Sequence, residues 1–384
     1  MQYHLIATCS LGLEAVVARE LNNLGMSNVR SDNGQIHFEA DEFGLAKSNI
    51  WLRSADRVWW LVKSFPCHTF EELFQGMKTI PWGEIIPVNG RFPVDAHSHN
   101  STLTSLPAIQ RTAKKAAVEV MQNKYRRLVF TEDGSAHYPI KVFLVKDVCS
   151  IMVDTSGSGL HRRGYRTLNA AAPLRETLAS ALVQLSYWNK DRLLIDPFCG
   201  SGTICLEAAM LGLNMAPGLT RKFAYETWPI IEERVCKMAL QEAQDTFDRH
   251  SKLNIQGYDN DPQVLKLANF HLQKVGLQGR GITFNLRDIA QFQSDEEYGI
   301  IITNPPYGER LLEREEAEEL YKVLGNIKRG LPTWSVYSIS SDPQFEKYFG
   351  QQAKRKRKVY NGMIACNYFQ YPGPPKKFTQ NRVF

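Results

Sequence analysis

The chain has 384 residues, 43% of them hydrophobic and 22% charged, which suits two or three domains with sizeable cores and excludes a disordered chain. Seven cysteines with no C-x-x-C pair exclude a disulfide framework and a zinc ribbon. A net charge of +6 favours a polyanionic partner, while the absence of any long apolar stretch and of a basic, apolar leader predicts a cytoplasmic protein with neither membrane span nor secretory signal.

In chain order, residues 3 to 9 predict a strand. Leu13, Val16, Val17, Leu21 and Leu24 then form the apolar face of a helix closed by Gly25. Two short strands around Asn33-Gly34 and a second helix complete a β-α-β-β-α order, the pattern of a small ferredoxin-like unit. Residues 58–65 predict a strand, 70–77 a helix, 91–96 a strand, 108–123 a helix, and 138–145 with 148–153 a strand pair. Basic residues gather at Arg111, Lys114 and Lys115, at Lys124, Arg126 and Arg127, and at Arg162, Arg163 and Arg166. Each group alone suits a solvated face; three in succession suggest a surface that tracks phosphates.

From residue 167 onward helices and strands alternate, which predicts a parallel, doubly wound sheet. The run 193–203, Leu-Leu-Ile-Asp-Pro-Phe-Cys-Gly-Ser-Gly-Thr, has the form strand, acidic residue, glycine turn and helix start. A dinucleotide fingerprint needs a third glycine, and Asp196 at the strand end would repel phosphate but attract an ammonium group. An NAD-dependent oxidoreductase is therefore disfavoured. The next strand ends at Asp259-Asn260-Asp261-Pro262, where Asp259 stands at the position that holds a ribose diol in α/β folds and Asp261 suits the cap of the following helix. A third short strand, 282–288, ends at Asp288, which suits either an adenine amino group or an N-cap. The apolar run 299–303 leads into Asn304-Pro305-Pro306-Tyr307. Its prolines remove two backbone donors, leaving carbonyl oxygens and the Asn304 amide as acceptors for a planar group with an exocyclic NH2.

Taken together, D-P-F-C-G-S-G-T, the acidic strand ends and N-P-P-Y-G-E-R resemble the class I S-adenosylmethionine-dependent methyltransferases that methylate amino groups. The resemblance is close to the bacterial large-subunit rRNA guanine-N2 methyltransferases that carry a THUMP RNA-binding domain, and it extends over essentially the whole chain. It implies an α/β fold: a Rossmann-like, doubly wound methyltransferase sheet at 167–384, preceded by a ferredoxin-like domain at 1–57 and a THUMP domain at 58–166. It further implies that Asp196, Pro197, Phe198, Gly200, Ser201, Gly202, Thr203, Asp259, Asn260, Asp288 and Asn304 hold S-adenosyl-L-methionine. The catalytic set is Asn304, Pro305 and Tyr307: the Asn304 amide oxygen and the Pro305 carbonyl accept from the amine, and Tyr307 stacks on the flipped base.

The expected substrate is large-subunit rRNA, with tRNA guanine-N2 and adenine-N6 as alternatives, because both amines offer two N–H groups to the same acceptors. No metal and no obligate protein partner are implied. Cys199 could serve as a nucleophile in carbon methylation, but its place in the cofactor turn disfavours this. An RNA-binding factor with a decayed methyltransferase fold would not have kept both motifs and all three acidic strand ends.

Gly202 and Asp259 lie 57 residues apart, against roughly 20 in a compact βαβ unit. The excess, around 213–253, matches an insertion in the resembled family, and its Phe223, Tyr225 and Trp228 are expected to pack rather than bind bases. The basic run 354–358 leads into a strand, an Asn361-Gly362 turn and a second strand, a hairpin whose solvated edge the lysines keep from aggregating and which can touch RNA phosphate. Glu309 and Arg310 complete the second motif without entering the catalytic set. Some enzymes of the resembled family carry a further methyltransferase module after this one; with the chain ending at Phe384, a second activity is not expected.

Overall fold

A computed structural model of the chain describes residues 2–166, 174–307 and 311–375. Two compact units emerge, the first built from residues 1–9, 17–160 and 216–245, the second from 10–16, 161–215 and 246 onward. Among the described residues no helix is long and apolar enough to cross a membrane.

The first unit holds β1 (Tyr3–Thr8), β2 (Ser27–Asp32), β3 (Gln35–Ala40), β4 (Arg57–Pro66), β5 (Val94–His99), β6 (Ile140–Val145) and β7 (Val148–Asp154) in one sheet of order β2-β3-β1-β4-β7-β6-β5. Helix Glu14–Asn23 buries Val16, Val17 and Leu21, and Gly25 follows at φ +80°. The ferredoxin-like pattern is completed by β4, which pairs antiparallel with β1 on one side and with β7 on the other. Trp60 faces Leu5 across one ladder and Val153 across the other, so the ferredoxin-like and THUMP patterns share a single sheet. The strand predicted at 91–96 begins later, at Val94. Pro93 has no N–H for a ladder, and Arg91 makes only an isolated bridge with His137.

Residues 216–245 explain the long spacing noted above, because they belong to the first unit although they interrupt the second in sequence. The Gly218 N–H donates to the Ile50 carbonyl at 2.9 Å and the Tyr225 N–H to the Thr155 carbonyl at 3.1 Å. The Trp228 ring stacks on Tyr138 with centroids 4.7 Å apart, and its Nε1–H donates to the His137 carbonyl. Phe223, Tyr225 and Trp228 are all buried and pack, as expected. Helix Glu233–Asp245 lies on helix Glu42–Trp51, where Lys47 pairs with Glu242 at 2.9 Å. Without these 30 residues the spacing from Gly202 to Asp259 falls to 27, close to a compact βαβ unit.

The second unit holds the parallel strands β8 (Leu194–Asp196), β9 (Ile255–Asp259), β10 (Ile282–Leu286), β11 (Ile300–Thr303) and β12 (Ser335–Ser340), with antiparallel β13 (Arg355–Asn361) and β14 (Ile364–Tyr371). The order is β10-β9-β8-β11-β12-β14-β13, the doubly wound α/β sheet expected. Its central strands are continuous apolar runs because helices cover both faces of such sheets: Ile300, Ile301, Ile302 and Val336 are fully buried. Tyr321, Trp334, Phe345, Phe349, Phe369 and Tyr371 pack in one core cluster.

From β8 the chain winds to β9 and β10 on one side, then crosses to β11 and β12 on the other. Ligands bind doubly wound sheets at such a reversal, beyond the carboxyl ends of the strands.

The basic run falls on β13, the edge strand, as expected. The hairpin loop differs by one residue: Asn361 pairs with Ile364, so Gly362 and Met363 form the turn. Gly362 at φ +63° takes the first central position, where a type II′ turn places its glycine. On helix Leu311–Gly330, Lys322 pairs with Glu319 and Arg314 with Glu318.

Candidate active site

The carboxyl ends of β8, β9, β10 and β11 surround a cavity of about 510 Å³. All of the expected cofactor set except Gly202 line it. Asp196 ends β8 and is 1% exposed. It accepts from the Thr303 hydroxyl at 2.7 Å and from the Phe198 N–H at 3.2 Å. Burial pushes its pKa up to about 7, aided by the Asp259 charge and opposed by those two donors. A buried carboxyl so poised, beside a second carboxylate, suits a cationic ligand group.

Gly202 lies under the turn, where it precedes helix Thr203–Gly212 at φ +82°. A Cβ there would stand 2.7 Å from the Phe284 ring, so the backbone direction and the close packing both require glycine. The buried His271 contacts the Ser201 carbonyl through Nδ1 at 3.1 Å. Cys199 lines the cavity, yet burial drives its thiol pKa far above the ordinary value, with Cys205, Asp196 and Asp259 adding to the rise. A thiolate is therefore disfavoured, and with it nucleophilic chemistry at this sulfur.

Asp259, at the tip of β9, ties the second strand to the first turn. Its Oδ2 accepts from the Gly200 N–H at 2.9 Å and its Oδ1 from the Asp261 N–H at 3.0 Å. Asp261 caps helix Pro262–Val275 by accepting from the Gln263 N–H at 2.7 Å, the role expected of it. Beyond β10, Asp288 lines the cavity and also caps a short 3₁₀ turn, Ile289–Gln291, accepting from the Ala290 N–H. The two alternatives for Asp288 are thus compatible, since a carboxylate has about four acceptor sites.

Val264, Ile289, Leu174 and Leu320 also line the cavity and were not singled out from sequence. Ile289 was the one with a signal, an apolar residue directly after an acidic strand end. Arg287, likewise missed, reaches the cavity with its guanidinium 5.3 Å from the Tyr258 ring centre.

At the end of β11, Asn304 and Pro306 line the cavity, whereas Pro305 and Tyr307 do not. The Tyr307 hydroxyl donates to Asn304 Oδ1 at 2.5 Å. It also lies within hydrogen-bond reach of Asn361, with Cys366 Sγ at 3.9 Å. Burial raises the phenol pKa far above its ordinary value, so Tyr307 stays a neutral donor that orients the Asn304 amide. Gly308, Glu309 and Arg310 lie outside the described residues, as does Thr167, the expected start of the methyltransferase domain.

One expectation needs correction. Arg163 is 3% exposed and forms a two-pronged pair with the fully buried Glu207, at 3.1 and 3.2 Å. Arg166 pairs with Glu176 at 3.3 Å and donates to the Thr203 hydroxyl. These arginines brace the glycine turn and its helix and cannot track phosphates. Lys114 pairs with Glu132 and sits over Phe92, which leaves Arg111, Lys115, Lys124, Arg126 and Arg127 as the exposed members of the other two clusters.

Comparison with known proteins agrees with this architecture. The RMKL-like methyltransferase domain family matches residues 163–370, the RlmL ferredoxin-like domain residues 4–59 and the THUMP domain residues 67–154. The chain is 43% identical over 384 residues to YpsC of Bacillus subtilis (strain 168), a candidate RNA methyltransferase, covering 99% of each. It is 31% identical over 372 residues to the ribosomal RNA large subunit methyltransferase K/L of Buchnera aphidicola, covering 94% of this chain and 53% of that protein, so it spans about half the length of that relative. The solved structure of SMU.472, a candidate methyltransferase in complex with S-adenosylhomocysteine, is 40% identical with a TM-score of 0.93, covering 98% of this chain and 99% of the other. The chain belongs to the RMKL-like methyltransferase family, with an RlmL-type ferredoxin-like domain and a THUMP domain preceding the methyltransferase domain.

Proposed function

We propose that this chain transfers a methyl group from S-adenosylmethionine to the exocyclic N2 of a guanine in large-subunit rRNA. The observation that carries the reading is the placement of Asn304, on one cavity with Asp196, Asp259 and Asp288. An amine acceptor thereby faces a set of carboxylates suited to an ammonium, a ribose diol and an adenine amino group. The K/L relative supports rRNA, and the THUMP match supports recruitment of structured RNA by residues 1–166, ahead of a methyltransferase domain at 167–384.

When bound, S-adenosylmethionine supplies an electrophilic methyl group on a sulfonium. Asp196 would hold its amino acid ammonium, Asp259 its ribose hydroxyls and Asp288 its adenine amine, with Val264 and Ile289 as apolar residues of the same cavity. Guanine N2 is a poor nucleophile because its lone pair is delocalised into the ring. Asn304 Oδ1 and the Pro305 carbonyl accept its two N–H groups, which favours a pyramidal nitrogen with its lone pair directed at the methyl. Positioning supplies most of the remaining acceleration. The methylated nitrogen is strongly acidic, so no dedicated general base of matched pKa is needed. Tyr307 provides the platform on which the extruded base stacks.

The state of Asp196 sets a pH dependence. A pKa near 7 leaves the empty site increasingly protonated below that value, whereas an ammonium ligand binds the ionised form. Affinity for S-adenosylhomocysteine should be flat above about pH 7 and fall on acidification by up to about tenfold per pH unit. Calorimetric titration from about pH 5.5 to 8.5 checks this, and Asp196→Asn should flatten the slope while weakening binding at neutral pH. A slope unchanged in Asp196→Asn would assign the titration to another group.

The product separates guanine from adenine and rRNA from tRNA. Each RNA fraction from cells lacking the protein is treated with purified enzyme and labelled S-adenosylmethionine, then digested for nucleoside mass spectrometry. N2-methylguanosine missing from, and restored to, the rRNA fraction is the expected result. The same nucleoside confined to tRNA moves the substrate, and N6-methyladenosine in either fraction refutes the guanine assignment.

A further inference from the structure

The turn of the β13–β14 hairpin carries an apolar side chain that the fold does not use. Met363 is 99% exposed and its neighbour Ile364 is 40% exposed. Residues 362–365 are exposed without interruption, and nothing lies within 4 Å of where a Gly362 Cβ would be. Yet the base of this turn is anchored beside the base-facing motif, because Asn361 and Cys366 are the residues that approach the Tyr307 hydroxyl. Met363 therefore stands two residues from a contact with the Asn304–Tyr307 turn.

The strand leading to the tip carries exposed Lys354, Arg355, Lys356 and Lys358. Of these, Lys356 is paired with Glu346 at 2.8 Å, while Lys358 lies over the Tyr360 ring, 5.6 Å from its centre. A solvated apolar tip at the end of a cationic strand has the charge to approach a phosphate backbone and an apolar end suited to base faces.

We infer that Met363 is a wedge that enters the RNA stack and occupies the space left when the target base is turned out toward Asn304. Apolar side chains inserted between base steps unstack them in other nucleic-acid complexes, and chemistry at a base edge requires removal of the base from its stack. Methionine suits the task, being unbranched, polarisable and adaptable in shape. The inference rests on the proposed RNA-methylating reading but not on which base or which RNA is modified, since any stacked amine-bearing base needs the same displacement.

The test compares wild type, Met363→Ser and Met363→Leu in single-turnover methyl transfer. The first substrate is folded, unmodified large-subunit rRNA made by transcription. The second is the same RNA cut to short fragments and heat-denatured, so that the target base is unstacked beforehand. Met363→Ser should lose at least about 30-fold in rate on folded rRNA, Met363→Leu should stay within about threefold of wild type, and all three should converge on the denatured fragments. Affinity for S-adenosylhomocysteine should be the same in all three.

Wild-type rates for Met363→Ser on folded rRNA would overturn the wedge. Equal losses on folded and denatured RNA would overturn it in favour of a structural role. If wild type methylates tRNA or adenine instead, the substrate reading fails while the same comparison on that RNA still decides the wedge. If it methylates no RNA, both fall.

Discussion

Asn304→Ala is expected to leave S-adenosylhomocysteine affinity close to wild type while slowing methyl transfer to RNA by about 10²-fold or more, the usual cost of removing one positioned electrostatic partner. Asn304 ends a fully buried strand, and the two prolines after it fix the backbone, so truncation should remove the acceptor without moving the turn. In the structure its Oδ1 already accepts from the Tyr307 hydroxyl. A carbonyl oxygen has two lone pairs, which leaves one for the amine. Tyr307 thus acts through its ring and through its hydroxyl.

Tyr307→Phe should release the Asn304 amide and cost less than Asn304→Ala. Tyr307→Ala should cost more than Tyr307→Phe because it also removes a stack worth about 1 to 3 kcal/mol. Combining Tyr307→Phe with Asn304→Ala should be less than additive, since the hydroxyl works by orienting the amide. Single-turnover transfer of labelled methyl, with calorimetry as the control for cofactor affinity, checks the series. Near-normal turnover by Asn304→Ala would remove the acceptor from the mechanism.

What the sequence carried, and what it hid, divides along physical lines. The acidic strand ends and the Asn-Pro-Pro-Tyr turn were visible because each is local: an apolar run stops at a polar residue with its own turn chemistry. The fold then brings Asp196, Asp259, Asp288 and Asn304 to one cavity because they end four neighbouring strands of a parallel sheet. Long-range pairing was not visible. Arg163 resembles a surface cation until Glu207, 44 residues on, is found beside it in the core. Residues 216–245 resemble an oversized crossover until their partners in the first unit, Ile50, Tyr138 and Thr155, are known. The burial of the Tyr307 hydroxyl against Cys366, on a strand 59 residues away, was invisible for the same reason, although its bond to Asn304 is local. Even the misplaced hairpin turn is a question of register, which cross-strand pairing decides and local composition does not.

Asp259→Ala is expected to weaken binding of S-adenosylmethionine and S-adenosylhomocysteine by about 1.5 to 3 kcal/mol, the worth of lost charge-assisted hydrogen bonds, or about 10- to 150-fold. Two effects combine at this carboxylate. Each oxygen already accepts one backbone N–H, from Gly200 and from Asp261, and each keeps a lone pair for a ribose hydroxyl. Removing the group withdraws the ribose acceptors and also leaves the Gly200 N–H without the acceptor that closes the glycine turn against β9.

Asp259→Asn separates the two effects. Its single carbonyl oxygen can still serve the Gly200 N–H, but its amide presents donors where the second carboxylate oxygen accepted, so the turn is kept and the diol is only half served. Binding should then fall between wild type and Asp259→Ala, with a melting temperature nearer to wild type than that of Asp259→Ala. If Asp259→Ala melts lower but binds S-adenosylhomocysteine with unchanged affinity, Asp259 is only a strut of the turn and the ribose is held elsewhere.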